Sequence, residues 1–485
     1  MSSVTTDIPA RLDRLPWARW HWLILVGLGS VWILDGLEVT IVGAIGSRIT
    51  EPGSGLAVTE AQVGLAASVY IVGACSGALF FGHLTEKYGR RRIFLATLGV
   101  YLLATVLTAF SPNAWWFYAC RFFTGFGIGG EYAAINSAID EMMPARLRGR
   151  VALMINGSYW LGAAAGAAMA YPLLDPDLLP ENLGWRTTFA IGGVLGLVIL
   201  VVRRFVPESP RWLVIHGRTE EAEKVVRGIE AEVASETHRD RLPPVDPRRV
   251  LTLRQRDTTT FRELAATMVR TYPRRTVLGL SLFMGQAFLY NAVFFTQALV
   301  LTVFFGVPSG LAPLFIIPLA LGNFLGPVLL GPLFDIVGRK PMIAGTYIGS
   351  GLLLVGTGLL FQNGLLTAVT LTLCWCAVFF VASAGASSAY LTVSEIFPME
   401  TRPQAIALFY ATGTALGGIL GPSLFGVLVG SGEVGQVAFG YYLGAGLMVA
   451  AGIVEVLIGV EAARRSLEDI AAPLSADRGQ PLASA

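Results

Sequence analysis

The sequence predicts an all-α integral membrane protein: twelve transmembrane helices arranged as two pseudo-symmetric six-helix halves. Two observations predict it. Hydrophobic residues fill 54% of the 485 positions and charged ones only 14%, with a mean hydropathy of +0.62, whereas soluble domains average about 25% charged residues. The second is an internal repeat. Gly82-His-Leu-Thr-Glu86-Lys-Tyr-Gly-Arg90-Arg91-Arg92 is echoed by Gly331-Pro-Leu-Phe-Asp335-Ile-Val-Gly-Arg339-Lys340, and Glu141-x-x-Pro144-x-x-x-Arg148 by Glu395-x-x-Pro398-x-x-x-Arg402. An acid, a glycine turn and two cations between apolar runs form a compact ion-pair latch. One copy would be ordinary charge anchoring; two copies in matching places suggest halves that rock against each other.

The apolar runs, each long enough to cross a bilayer, lie at about 22–44, 61–82, 93–111, 118–139, 150–172, 187–206, 276–305, 311–333, 341–361, 366–393, 403–430 and 437–459. They divide the chain into a first half (1–206), a charged linker (207–275) with short helices, a second half (276–460) and a tail (461–485) that is polar and disordered beyond about 473. Arg11, Arg14 and Arg19 precede the first run, which lacks a small-residue cleavage pattern and reads as a retained span. Cations gather in alternate loops, from Lys87 to Arg92, Arg146 to Arg150, Arg203 to Arg275, Arg339-Lys340 and Arg402. The positive-inside rule then puts both termini in the cytoplasm of a plasma-membrane protein.

An ionisable side chain inside the bilayer is expensive and marks function. In the first run Asp35 and Glu38 stand three apart, on one helix face. Two carboxylates this close suit proton binding. In the fourth run Arg121, Gly125 and Gly129 form a stripe that lets another helix approach, and Arg121 needs an anionic partner. Span directions put Arg121 and Glu38 in the same half of the bilayer, so a proton on Glu38 would release the pair. Glu131, further along, is either a proton or substrate group or part of the latch. The seventh run offers Gln286, Tyr290 and Asn291, whose amides and hydroxyl need partners: a solute or a neighbouring helix.

Other classes find no support. The four cysteines lie in apolar runs, there are four histidines, and no zinc, P-loop or nucleophile-elbow motif occurs. Net charge is +2, with no basic surface for nucleic acid. No enzyme, metal or cofactor is expected beyond the proton as coupling ion. The expected partners are a small solute and the lipid bilayer, with the chain a monomer.

The duplicated motifs resemble those of the major facilitator superfamily. Pro207-Glu-Ser-Pro-Arg-Trp-Leu213 resembles the segment after the sixth helix in the sugar-porter branch and its metabolite:proton symporter relatives. The resemblance implies that Arg121-x-x-x-Gly-x-Gly pairs with Glu38. Asp35-Gly-Leu-Glu38 is similar to the paired acids of aromatic-acid/proton symporters, with Glu38 in place of a second aspartate, and Gly129-Gly130-Glu131 to organic-acid and phosphate relatives. Gln286 and Asn291 match a sugar-porter substrate motif that here has Gly285 for its first glutamine. Asn156 falls where those proteins carry another substrate glutamine, and Tyr390 replaces a tryptophan. Glu461-Ala-Ala-Arg-Arg-Ser-Leu-Glu-Asp-Ile470 resembles the branch's closing segment without its proline and glycine.

The implied protein is a proton-coupled symporter of a small organic solute, an organic acid or a sugar, working by alternating access. Asp35, Glu38, Arg121 and Glu131 would handle protons; Asn156, Gln286, Tyr290, Asn291 and Tyr390 would hold the solute. A cytoplasmic gate would pair Glu86 with Arg90 and Arg91, Asp335 with Arg339, Glu141 with Arg148 and Glu395 with Arg402. Alternatives are a proton-driven antiporter exporting organic cations or drugs, and a non-transporting solute sensor.

Overall fold

In hydrocarbon, a backbone must satisfy its own polar groups, so apolar runs of this length become helices. The computed structural model describes residues 3–56, 58–175, 177–203, 207–237, 242–245, 250–255, 259–294, 296–308 and 311–476. A strand β1 (Ser3–Thr6) and a short helix α1 (Ile8–Asp13) lead into the long α2 (Arg19–Ile49). Then come α3 (Glu60–Tyr88), α4 (Arg90–Ala109), α5 (Ala114–Met142), the bent pair α6 (Arg148–Gly157) and α7 (Tyr159–Leu173), and α8 (Glu181–Arg203). Between the halves lie α9 (Pro210–Ile215), α10 (Thr219–Glu236), β2 (Leu251–Arg254) and α11 (Phe261–Ala266). The second half comprises α12 (Pro273–Leu289), α13 (Gln297–Phe305), α14 (Ile316–Ile336), α15 (Arg339–Gln362), α16 (Ala368–Ile396), α17 (Arg402–Gly430) and α18 (Val434–Ile458), followed by α19 (Leu467–Ile470). Nine helices among the described residues are long and apolar enough to span a membrane; α5, the α6–α7 pair and α8 bring the spans to twelve.

The duplicated latch turn is duplicated in backbone geometry. Gly89 joins α3 to α4 at φ +98°, and Gly338 joins α14 to α15 at φ +124°. L side chains rarely adopt these angles, which is why both motif copies carry glycine there. Each following helix begins on an acid from elsewhere in the chain. Glu208 accepts from the N–H groups of Arg90 (2.8 Å) and Arg91, and Glu461 from those of Arg339 (2.9 Å) and Lys340. A carboxylate at a helix N-terminus satisfies orphan donors and complements the dipole.

Four features depart from the expected layout. The fifth span is broken at Ser158, whose hydroxyl donates to Ile155 O (2.6 Å) and Gly29 O (3.0 Å). The seventh span loosens into a π-helical turn at Tyr290–Phe294 before α13 resumes. Both interruptions border the central cavity described below. Thirdly, the chain is not wholly helical: β1 and β2 pair antiparallel, with Val4 opposite Leu253, and Ala476 bridges Leu253 from the other side. In the linker, α9 and α11 with its π turn (Thr267–Thr271) pack under the helices. Lastly, the tail is ordered slightly past 473, because Glu400 accepts from the backbone N–H of Leu474 and Ser475. Residues 477–485 lie outside the described residues.

Candidate functional site

A central cavity of about 680 Å³ lies between the halves. All five side chains that the sequence assigns to the solute border it: Asn156 from α6, Gln286 from α12, Tyr290 and Asn291 from the π turn, and Tyr390 from α16. Glu38 and Arg121 reach it as well. Its wall runs along the stretches of α2, α3 and α17 remote from the termini, through Val42, Val63 and Ser423.

Several of these polar groups are tethered. Tyr290 donates its hydroxyl to Asn323 Oδ1 (2.8 Å), while the Asn156 amide donates to Asn136 Oδ1 (3.0 Å) and Ala152 O. The Asn291 amide donates to Ala287 O, and Asn156 Oδ1 accepts nothing among the described residues. That orphan acceptor is itself buried, on a residue that borders the cavity.

Arg121 and Glu38 meet at 3.0 Å, with 1% and 2% of their side chains exposed. Thr105 donates to the other Glu38 oxygen (2.9 Å), and Arg121 Nη2 also reaches the hydroxyls of Thr108 and Thr124. The guanidinium lies 4.9 Å from the ring centre of Phe189 and 5.7 Å from that of Phe117. Asp35 and Glu131 are equally buried but do not border the cavity. They stand behind it, with Asp35 within electrostatic reach of both Glu131 and Glu38. One acid of the Asp35–Glu38 pair therefore faces the cavity and one does not, where the shared helix face suggested both would.

Toward the termini an aromatic stack closes the cavity. Tyr132 of α5 stacks on Tyr410 of α17 at 4.4 Å and on Tyr390 of α16 at 5.9 Å, with Trp32 edge-on to Tyr132 at 4.5 Å. Trp160 and Tyr159 extend the aromatic wall. Sequence reasoning missed these residues, apart from Tyr390. Tyrosine and tryptophan inside apolar runs give no signal that separates a cavity wall from helix packing.

Beyond the stack lies the latch, whose pairs differ from the expected ones. Glu141 takes Arg90 (2.7 Å) from its own half and Arg402 (3.4 Å) from the other. Glu395 takes Arg339 (2.9 Å) from its own half and Arg148 (3.5 Å) from the other. The expected partners Glu141 with Arg148 and Glu395 with Arg402 are thus exchanged. The Pro144 and Pro398 turns carry each arginine across the interface rather than back onto its own helix. Asp335 does pair with Arg339 (2.9 Å), and it also accepts from the N–H groups of Gly149 and Arg150 at the start of α6. Arg90 goes to Glu141; Glu86 accepts from Thr259 N–H (3.1 Å), with the His216 ring 4.0 Å away.

The short helices brace this layer. Arg211 of α9 donates to Glu468 (2.9 Å), to Asp13 (3.3 Å) and to Glu141 O, and Trp212 donates to Glu86 O (2.6 Å). Burial pushes the Asp13 carboxyl above its ordinary range, against the opposing pull of Arg211 and Arg148. Burial likewise raises that of Glu208.

The family model described as "Sugar (and other) transporter" matches residues 39–473. The chain is 27% identical to the niacin transporter NiaP of Acinetobacter baylyi over 96% of this chain and 99% of that one. It is 28% identical to the 4-hydroxybenzoate transporter PcaK of Pseudomonas aeruginosa over 59% of this chain and 60% of that one. Its fold matches that of the proton:xylose symporter XylE bound to 6-bromo-6-deoxy-D-glucose with a TM-score of 0.76, at 20% identity, over 93% of this chain and 98% of that one.

Proposed function

Because the chain belongs to the sugar (and other) transporter family and so is a membrane transporter of a small solute, we propose that it couples inward movement of an aromatic monocarboxylate to a proton. The observation that carries this reading is the buried Glu38–Arg121 pair at the cavity wall. Breaking a buried ion pair on one side costs about 3–5 kcal/mol, because the remaining charge is left uncompensated. A proton on Glu38 therefore leaves Arg121 in need of another anion. A solute carboxylate entering the cavity supplies it, and neither proton nor solute is then stable there alone. That mutual requirement is symport. A neutral sugar offers Arg121 no such compensation.

The rest of the wall supports an aromatic body on that carboxylate. Trp32, Tyr132, Tyr159, Trp160, Tyr290 and Tyr390 present ring faces and edges, while Gln286 and Asn156 supply a few polar contacts. Two relatives are named for niacin and 4-hydroxybenzoate, each a ring bearing one carboxylate. Asp35 and Glu131, behind Glu38, would receive the proton in transit, and Asn291 would orient the solute. The latch residues Glu86, Arg90, Arg91, Glu141, Arg148, Asp335, Arg339, Glu395 and Arg402 would close the face that carries the termini, which we assign to the cytoplasm of the plasma membrane.

Proteoliposomes holding a pH dye, offered aromatic acids, sugars and amines in turn, test this. The expected result is saturable uptake of an aromatic acid with lumen acidification, lost in Glu38→Gln. Acidification with sugars alone would overturn the substrate class. Alkalinisation driven by amines would make the protein an antiporter, and binding without flux a sensor.

A further inference from the structure

The repeat that aligns Glu141 with Glu395 also aligns the residues before them, and there the halves differ: Asp140 in the first, Ser394 in the second. Asp140 is 1% exposed, on the last turn of α5. The groups facing it come from three neighbouring elements: Glu395 and the Ser394 hydroxyl from α16, Arg148 from α6 and Arg402 from α17. Each of those arginines already holds another acid, Arg402 with Glu141 and Arg148 with Glu395 and Asp13. The remaining nearby cations are committed too: Arg90 to Glu141, and Arg211 to Glu468 and Asp13. Asp140 Oδ2 makes no hydrogen bond among the described residues. Asp140 is thus a supernumerary acid enclosed at the contact between the halves.

We propose that Asp140 is a proton-binding site of the closed latch, separate from the one at Glu38. The proposal rests on the alternating-access reading above. With the latch closed, Asp140 is shut away from water beside Glu395, and the two arginines that face it are each already paired with another acid. When the halves part, Glu395 leaves with the second half and Asp140 meets water, where it ionises. A group that binds its proton more tightly in the closed state stabilises that state at acid pH and releases it as pH rises. Acid on the terminal face therefore holds the latch shut, and solute release on that face quickens as the compartment becomes more alkaline.

The test reads the latch itself and needs no solute. Spin labels replace the exposed Arg92, in the first half, and the exposed Arg465, in the tail that follows the second half; both lie on the terminal face. Distance distributions are then recorded in nanodiscs between about pH 6 and pH 8. One proton allows at most a tenfold change per pH unit. The expected result is a ratio of open to closed populations that rises at least about threefold over this range, and stays at its acid value in Asp140→Asn and in Asp140→Ser, the residue the other half carries. The same rise in either variant, or no rise in the parent, would overturn the proposal. Either failure would leave the transport reading standing. An unaltered pH response of the latch beside absent flux in the proteoliposomes would sink that reading and keep this one.

Discussion

Arg121 puts all its hydrogen bonds on one nitrogen. Nη2 serves Glu38, Thr108 and Thr124, while Nε and Nη1 have no hydrogen-bond partner among the described residues and the guanidinium lies close to the rings of Phe189 and Phe117. Such a residue is held by one anion, so its removal should be felt through Glu38. Arg121→Gln should lower stability by about 3–5 kcal/mol, and the double variant Glu38→Gln/Arg121→Gln should recover most of it. Thermal unfolding in detergent measures both. Additive losses would refute a compensating pair. Uptake assays on Arg121→Ala, with membrane insertion checked separately, should show no coupled transport. At this scale the charged and amide residues were legible in the sequence, because each is costly inside an apolar run and must have a reason. Tyr132 and Tyr410 were not, since a tyrosine in such a run looks the same whether its ring faces a cavity or a helix. Glu141 and Glu395 were recognised as latch acids, but adjacency along the chain suggested the wrong arginines.

Helices α3 and α5 approach so closely that their glycines touch backbone. A Cβ on Gly129 would stand 1.9 Å from Ala74 O, one on Gly125 2.1 Å from Tyr70 O, and one on Gly77 2.0 Å from Phe126 O. The contact sets the position of Arg121, which shares the stripe. Gly129→Val should therefore push the helices apart, cost at least about 1–3 kcal/mol as other overpacked sites do, and weaken coupled uptake through Arg121 even where protein survives. Fluorescence-detected thermal stability and transport rate check the two effects. Undiminished values in both would mean that the pair of helices is not closely packed. The stripe was legible because glycine recurs at helical spacing beside a buried cation. The breaks at Ser158 and Tyr290 were not, because apolar composition fixes that a segment crosses the membrane and says nothing of whether its hydrogen-bond ladder runs unbroken.

Across the whole molecule, the latch is held shut from outside by segments distant in sequence. Arg11 of α1 binds Glu223 (2.7 Å) and Glu230 (2.6 Å) of α10, Arg14 adds a second contact to Glu230 (2.5 Å), and β1 zips onto β2. Asp13, at the end of the same α1, contacts Arg148 and Arg211 of the latch layer. The first residues of the chain therefore join the linker to the interface between the halves, a role that a count of apolar runs could not reveal. Partial burial alone would raise the Glu223 and Glu230 carboxyls; the hydrogen bonds and charges of Arg11, with Arg227 on Glu223 and Arg14 on Glu230, overcome it and hold both below the usual glutamate range. Acids with depressed values stabilise the clasp above their ordinary pKa of about 4.3, and that stability is lost as pH falls through the depressed value. The clasp should thus be indifferent to pH near neutrality and let go below about pH 4. A spin label at the exposed Thr5, in a chain with its native cysteines replaced, should give an immobilised spectrum at neutral pH and a mobile one in acid. In Arg11→Ala it should be mobile throughout. A label that stays immobile in that variant would assign the anchoring to the β1–β2 ladder instead of the ion pairs, and would free Asp13 from any dependence on them.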